Sequence, residues 1–254
     1  MLFDSHAHFD DSRFDMDREE VILSLKNYNV GYVMNIGADI KTSEKAIELS
    51  RKYNFIYATV GVHPGGIDGM TENDIEKLRC LATDNEKVRA IGEIGLDYHY
   101  EGYDREKQMY WFKRQIELAK ELDMPIVVHD RDSKGDCMSI LKNTGFSNGV
   151  MHCFSGSAET ARELVKMGFM ISFTGVLTFK NARRAIEACR EVPLEKLMIE
   201  TDCPYMAPEP HRGERNFSGY VEFVARKMAE IKGVSYEELA EITTNNALRF
   251  YGIK

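Results

Sequence analysis

Eight short apolar runs recur along the chain: LFDSHAH (2–8), GYVMNIG (31–37), FIYATVGVH (55–63), VRAIGEIG (88–95), PIVVHD (125–130), GVMHCFSG (149–156), GFMISFTG (168–175) and KLMIETD (196–202). Longer amphipathic, charge-rich stretches separate nearly all of them: MDREEVILSLKNY, KTSEKAIELSRKY, TENDIEKLRCLATD, REKQMYWFKRQIELAKEL, SAETARELVKM and NARRAIEACREV. Short apolar runs suit buried strands, and charged stretches with apolar residues three and four apart suit surface helices. Repeated strand–helix units imply parallel strands, because a parallel neighbour needs a long crossover. Eight such units in 254 residues predict an α/β fold of the closed (β/α)8 TIM-type barrel, in preference to an open doubly wound sheet. Two last amphipathic stretches, SGYVEFVARKMAEIK and SYEELAEITTNNALRFYG, supply the eighth helix and one extra C-terminal helix. Thr71 with Asp74 has the spacing of a helix-starting capping box, and Ser157 with Thr160 resembles one less well. No linker, low-complexity segment or further repeat interrupts this rhythm, so residues 1–254 read as a single domain.

Apolar residues at 43% supply a core of that size. A net charge of -8 argues against a protein coated in basic surface for wrapping duplex DNA. It leaves room for a nuclease whose positive potential is local, since bound cations are often the largest charges in a site. The five cysteines are odd in number, scattered and without a C-x-x-C pair, which reads as reduced thiols. There is no secretory pattern at the N-terminus and no apolar run near the length of a membrane span. The expectation is a soluble, cytoplasmic monomer that does not engage a membrane.

In a barrel of this kind, functional groups sit at the C-terminal ends of strands. His6 and His8 are separated by one residue on the first strand, so their imidazoles share a face and suit a metal such as Zn, Ni, Mn or Fe. An isolated H-x-H pair is a weak motif, better explained as surface or core. Glu93 closes the fourth strand between Gly92 and Gly95, where its two oxygens can each bind a cation; an ion-paired surface glutamate is the ordinary alternative. His129 ends PIVVHD and His152 ends GVMHC. Each alone is more often a core or cap residue, but together with the other three they repeat one placement. Asp202 closes the eighth strand, where alternation puts Met198, Glu200 and Asp202 on one face and turns Leu197, Ile199 and Thr201 outward. Asp202 can thus bind a metal and take a proton from water that the metal acidifies. Glu200 either orients a ligand or forms a buried ion pair. These six ligand-type side chains from five strand ends fit two metals, whereas one metal needs only three or four ligands.

The chain resembles the TatD-type deoxyribonucleases, a branch of the amidohydrolase-like barrel hydrolases. FDSHAHFD (3–10), GVHP (61–64), IGEIGLDYH (91–99), PIVVHDRD (125–132), HCFSG (152–156), ETDCPYMAP (200–208) and RGERN (212–216) carry the resemblance in family order. It implies a (β/α)8 barrel in which His6, His8, Glu93 and Asp202 hold one divalent ion and Glu93, His129 and His152 hold another. Mg, Mn, Zn and Ni are the candidate metals. It further implies hydrolysis of DNA phosphodiester bonds, 3′ to 5′ on single strands, with Glu93 and Asp202 as catalytic groups. Related hydrolases of amides and lactones often carry a carboxylated lysine near the fourth strand, where this chain has Glu93. Two positions depart from the family pattern: Asp130 stands where Ser or Thr is common, and Phe217-Ser218 where Glu-Pro is frequent. Both are expected at the rim where substrate enters.

His63, Arg131 and Arg212 are candidates for holding the substrate phosphate, and Asp97 and Tyr98 for lining the same mouth. Trp111, Phe112, Ile116 and Ala119 read as helix packing rather than a stacking platform, and Cys153 and Cys203 as turned away from the metals. Asp4 is expected deeper, behind the ligands, and Asp10 at the rim or as a helix cap. The competing functions are hydrolysis of a small-molecule or aminoacyl-tRNA ester or amide on the same two-metal site, and a metal-binding scaffold without turnover.

Overall fold

A computed structural model describes residues 1–254. Its strands are β1 (Leu2–Ala7), β2 (Val30–Asn35), β3 (Ile56–Val60), β4 (Val88–Asp97), β5 (Ile126–Arg131), β6 (Gly149–Met151), β7 (Met170–Phe173) and β8 (Leu197–Ile199), which lie in this order in one eight-stranded sheet. The helices are α1 (Arg18–Ser24), α2 (Ile40–Lys52), α3 (Glu72–Thr83), α4 (Arg105–Glu121), α5 (Asp136–Thr144), α6 (Ala158–Lys166), α7 (Arg183–Glu191), α8 (Val221–Lys232) and α9 (Tyr236–Phe250). One helix follows each strand and α9 is additional, so the fold is the (β/α)8 barrel with an extra C-terminal helix. Closure is made at β1, where Ala7 bridges Cys203 in parallel, Asp202 N–H donates to His6 O (2.9 Å) and His8 N–H donates to Cys203 O (2.8 Å). No helix is long and apolar enough to cross a membrane.

The chain divides into two compact units, one of Met1–Asn35, Cys153–Lys166 and Met170–Lys254, the other of Ile36–His152 and Met167–Phe169. In the first, β1 is buried throughout, and α9 packs on β1 and β8. Asn246 fixes that packing, donating from Nδ2 to Leu194 O and Leu197 O, both at 2.8 Å. In the second, α4 buries Trp111, Phe112, Ile116 and Ala119, and the helix lies on β4, as their spacing predicts. Two buried glutamines on the same helix satisfy backbone at strand ends. Gln108 accepts from Asp97 N and donates to Asp97 O, each at 2.8 Å; Gln115 accepts from Val62 N (2.8 Å) and donates to Val62 O (3.0 Å). Buried backbone groups need such partners wherever a ladder stops, and these hold the chain next to His63 and at Asp97.

The structure corrects two local expectations. The sixth and eighth strands are three residues each, ending at Met151 and Ile199, so His152 and Asp202 stand beyond the ladder rather than within it. Helix α5, absent from the sequence reading, occupies nine residues between Gly135 and Gly145, both in left-handed conformation. The box at the start of α3 is present, with Asp74 accepting the Thr71 N–H and hydroxyl at 2.9 Å each.

Candidate functional site

Two clusters of donor atoms form, one in each unit. In the first, β1 delivers His6, and His8 follows one residue past its end. Their Nε2 atoms lie 3.1 Å apart, and Asp202 Oδ1 lies 3.6 Å from His6 Nε2 and 3.5 Å from His8 Nε2. Asp202 reaches this point through a left-handed backbone (φ 56°), not through strand alternation, because β8 has already ended. Glu200 is buried, and its Oε1 accepts the Cys153 N–H at 2.6 Å.

Asp4 explains why the segment before Asp202 sits where it does. Fully buried behind His6, it accepts the Thr201 N–H (2.8 Å) and hydroxyl (2.6 Å), and the Ser218 hydroxyl. Burial pushes its carboxyl up to about 7 against these hydrogen bonds. Ser218, one of the two departures from the family pattern, is therefore an inward support for Asp4 and not a rim residue. Asp130, the other, lies on the opposite face of β5 from His129, where burial raises its carboxyl. Asp10 is neither rim nor cap: it is buried and accepts from Asn35 Nδ2 (2.9 Å), while its neighbour Asp11 caps the turn at Ser12–Phe14.

The second cluster centres on Glu93. Its Oε1 lies 2.8 Å from His129 Nδ1, 2.8 Å from His152 Nε2 and 3.9 Å from His63 Nε2, and the two nearer imidazole nitrogens are 3.3 Å apart. The close approach of β4 and β5 needs Gly95, since a Cβ there would fall 1.9 Å from His129 O at a φ of 147°. Burial raises the Glu93 carboxyl, but His152 and His63, with hydrogen bonds from His129 and His152, hold it well below the usual range. His63 packs edge-on against His129, with ring centroids 4.4 Å apart. Its Nδ1 accepts the Gly65 N–H at 3.0 Å, so the neutral ring carries its proton on Nε2. Burial pushes His63 down to about 4.

Asp97 belongs to this cluster, a closer role than lining the mouth. Its Oδ2 lies 3.3 Å from His129 Nε2, and His63, Asp97 and His129 are near enough together to share an ion. Burial raises the Asp97 carboxyl, and the His129 imidazole beside it, together with the bond from the His99 N–H, brings it below its ordinary value. The signal was available: Glu93 and Asp97 are four apart on one strand and face the same way.

Both clusters fit divalent cations. Ligands about 2.1 Å from a metal lie roughly 3.0–3.4 Å from one another at ordinary coordination angles, and the observed separations run from 2.8 to 3.6 Å. His129 Nε2 is buried without a hydrogen bond of acceptable geometry, the condition a metal or a shifted proton relieves. The phosphate-binding candidates are placed differently. Arg131 follows His129 by two residues on β5 and donates to the Tyr100 hydroxyl at 3.4 Å. Arg212 lies over the Phe179 ring, 4.3 Å from its centroid. Cys203 is buried and its thiol is pushed up by burial; Cys153 Sγ rests 3.8 Å from Met206 Sδ.

A (β/α)8 barrel carrying histidine and carboxylate clusters at its strand ends defines a metal-dependent hydrolase. The family model described as TatD related DNase matches residues 3–252, and the chain belongs to that family. It is 47% identical over the full length of both chains to the uncharacterized metal-dependent hydrolase YabD of Bacillus subtilis. To the putative deoxyribonuclease tatdn3 of Danio rerio it is 34% identical, over 98% of this chain and 97% of that one. Among solved structures, the TatD homologue YJJV of Escherichia coli superposes with a TM-score of 0.94 at 27% identity, covering 100% of this chain and 98% of the other.

Proposed function

We propose that this hydrolase cleaves DNA phosphodiester bonds, removing mononucleotides from the 3′ end of single strands, with residues 1–254 acting as one domain. The observation that carries the reading is the pairing of donor sets: six side chains converge in two groups with spacings of 2.8–3.6 Å, enough to hold two ions. His6, His8 and Asp202 serve one ion and His129 and His152 the other, with Glu93 assigned to both as the family resemblance implies. Mg, Mn, Zn and Ni all suit mixed imidazole and carboxylate donors. When bound, two such ions neutralise phosphate oxygens and make water acidic enough to ionise near neutral pH.

The protein's own groups do the remaining work. Asp202 takes the proton of the attacking water. His63, with its proton on Nε2, donates to a phosphate oxygen, and Arg131 and Arg212 pair with the flanking phosphates. Asp4 positions Asp202 by gripping Thr201 on its N-terminal side. Local charge of this kind reconciles a net charge of -8 with a polyanionic substrate. All five cysteines are free thiols, which supports a reducing, cytoplasmic setting, and we take the working form to be a monomer.

The test is metal analysis of the purified protein, coupled to turnover of a labelled single-stranded oligonucleotide in Mg²⁺, Mn²⁺ and Zn²⁺ beside a panel of carboxylic esters. Stepwise shortening from the 3′ end is expected. Ester turnover with the oligonucleotide left intact would overturn the proposal.

A further inference from the structure

We infer that Arg13 and Tyr205 form a stacked shelf for the nucleobase of the nucleotide being removed, beside the His6–His8–Asp202 cluster; the inference rests on the DNA reading of that site. Tyr205 follows Asp202 by three residues, and its backbone is held from both sides. The Tyr205 N–H donates to Asp202 O at 2.9 Å, and Asn216 Nδ2 donates to Tyr205 O at 2.6 Å. The phenol hydroxyl donates to Asp11 Oδ2 at 3.0 Å. Arg13 lies over the ring with Cζ 3.9 Å from the centroid, and its Nε and Nη2 reach the two Asp11 oxygens at 3.3 and 3.4 Å. Asp11 thus fixes both members of the stack while accepting the Arg13 N–H at 2.8 Å. The tyrosine also meets the His8 ring edge-on, at 6.4 Å between centroids.

The chemistry of this arrangement favours a base over a phosphate. An arginine that binds phosphate presents its N–H fork to the anion. Here Asp11 already takes two of the fork nitrogens and offsets their charge. Tyr205 is 45% exposed and the Arg13 side chain 46%, although both are held by several bonds. Nucleobases stack on aromatic rings and on guanidinium planes, and such stacking tolerates any sequence because every base has a π-face. A shelf one ring away from His8 seats the terminal base while its phosphate lies at the metal ligands.

The experiment compares kcat/KM for two single-stranded oligonucleotides, one with an ordinary 3′-terminal nucleotide and one whose terminal residue lacks its base. The wild-type protein is expected to prefer the base-bearing strand by about tenfold or more, through KM. Arg13→Ala, Tyr205→Leu and Arg13→Lys, which keeps the charge but loses the plane, should bring the ratio close to one. Tyr205→Phe, which keeps the ring, should retain the preference. Circular dichroism confirms folding, and Arg13→Lys carries the test if either larger truncation fails to fold. A wild-type enzyme that cleaves both strands equally, or an Arg13→Lys variant with the full preference, overturns the shelf and leaves the DNA reading standing. A wild-type enzyme that cleaves neither overturns the DNA reading first.

Discussion

The two donor clusters are built from the same residue types but held together differently. In the first, the shortest contact joins two imidazole nitrogens, 3.1 Å apart, and the carboxylate stands off at 3.5–3.6 Å. In the second, two imidazoles sit 2.8 Å from one carboxylate oxygen and a third comes within 3.9 Å. A buried carboxylate ringed by imidazoles has its charge answered by the protein itself, so the second cluster is assembled by its own hydrogen bonds. Two facing imidazoles share at most one proton and gain little from each other. Their lone pairs converge where a cation would stabilise both. The first cluster is therefore the one whose order should depend on the metal.

Removing Glu93 tests this difference most severely, since it takes the hub from the second cluster and a proposed ligand from both ions. Glu93→Ala should lower kcat by about a thousandfold or more, near the upper range for deleting one preorganised catalytic group. Elemental analysis should find neither ion retained in stoichiometric amount. His6→Ala should also be inactive but keep one ion; two ions in that variant would break the assignment of His6 to a site of its own.

Chelation should have the next largest effect. An ion present at a hundred times its dissociation constant stabilises the native state by about 2.7 kcal/mol. For a chain of this size that corresponds to a melting temperature lower by roughly 5–10 °C after chelation. Hydrogen exchange locates the loss: amides around His8 and Asp202 should speed up more than those around Glu93 and His129. Uniform acceleration would mean that the second cluster is no better assembled than the first.

Asp4→Ala comes next. It leaves the Thr201 N–H, the Thr201 hydroxyl and the Ser218 hydroxyl without their acceptor, at a cost partly offset by removing a buried carboxylate. The net loss should be about 2 kcal/mol in denaturant unfolding. Binding at the first cluster should weaken and at the second hold; equal weakening at both would make Asp4 a support of the whole barrel only.

These contrasts follow the line between what was legible in the sequence and what was not. The β–α rhythm gave the barrel, and histidines and carboxylates at repeated strand ends gave the six side chains that gather in the two clusters, because burial and strand geometry write period and position into the sequence; their division between two ions came from the family resemblance. Alternation does not describe Asp202 because it assumes extended backbone, and β8 stops at Ile199 before a left-handed turn aims Asp202. Helix α5 escaped because its nine residues bury only Cys137, Ile140 and Leu141, too few positions to display a helical period. The roles of Asp11 and Ser218 depend on partners about 200 residues away, Tyr205 and Asp4, which no local pattern reveals.

Asp97 gives the smallest effect and the finest test of the contrast. Its carboxylate lies 3.3 Å from the far nitrogen of His129 while Gln108 bonds its backbone N–H and C=O, so the ring meets a charged neighbour on that side as well as Glu93. If the second cluster is assembled in advance, removing one of these two restraints should leave most of its order. Asp97→Asn should then lower metal affinity at that cluster by about tenfold, the lower end of what outer partners of metal-bound histidines contribute. Titration of the metal-free protein with Mn²⁺ or Zn²⁺ measures this directly. A loss as large as that of His129→Ala would show that Asp97 is itself a ligand, consistent with its place beside His63 and His129. In that case the second cluster, too, would depend on its ion for order, and the distinction between the clusters would fail.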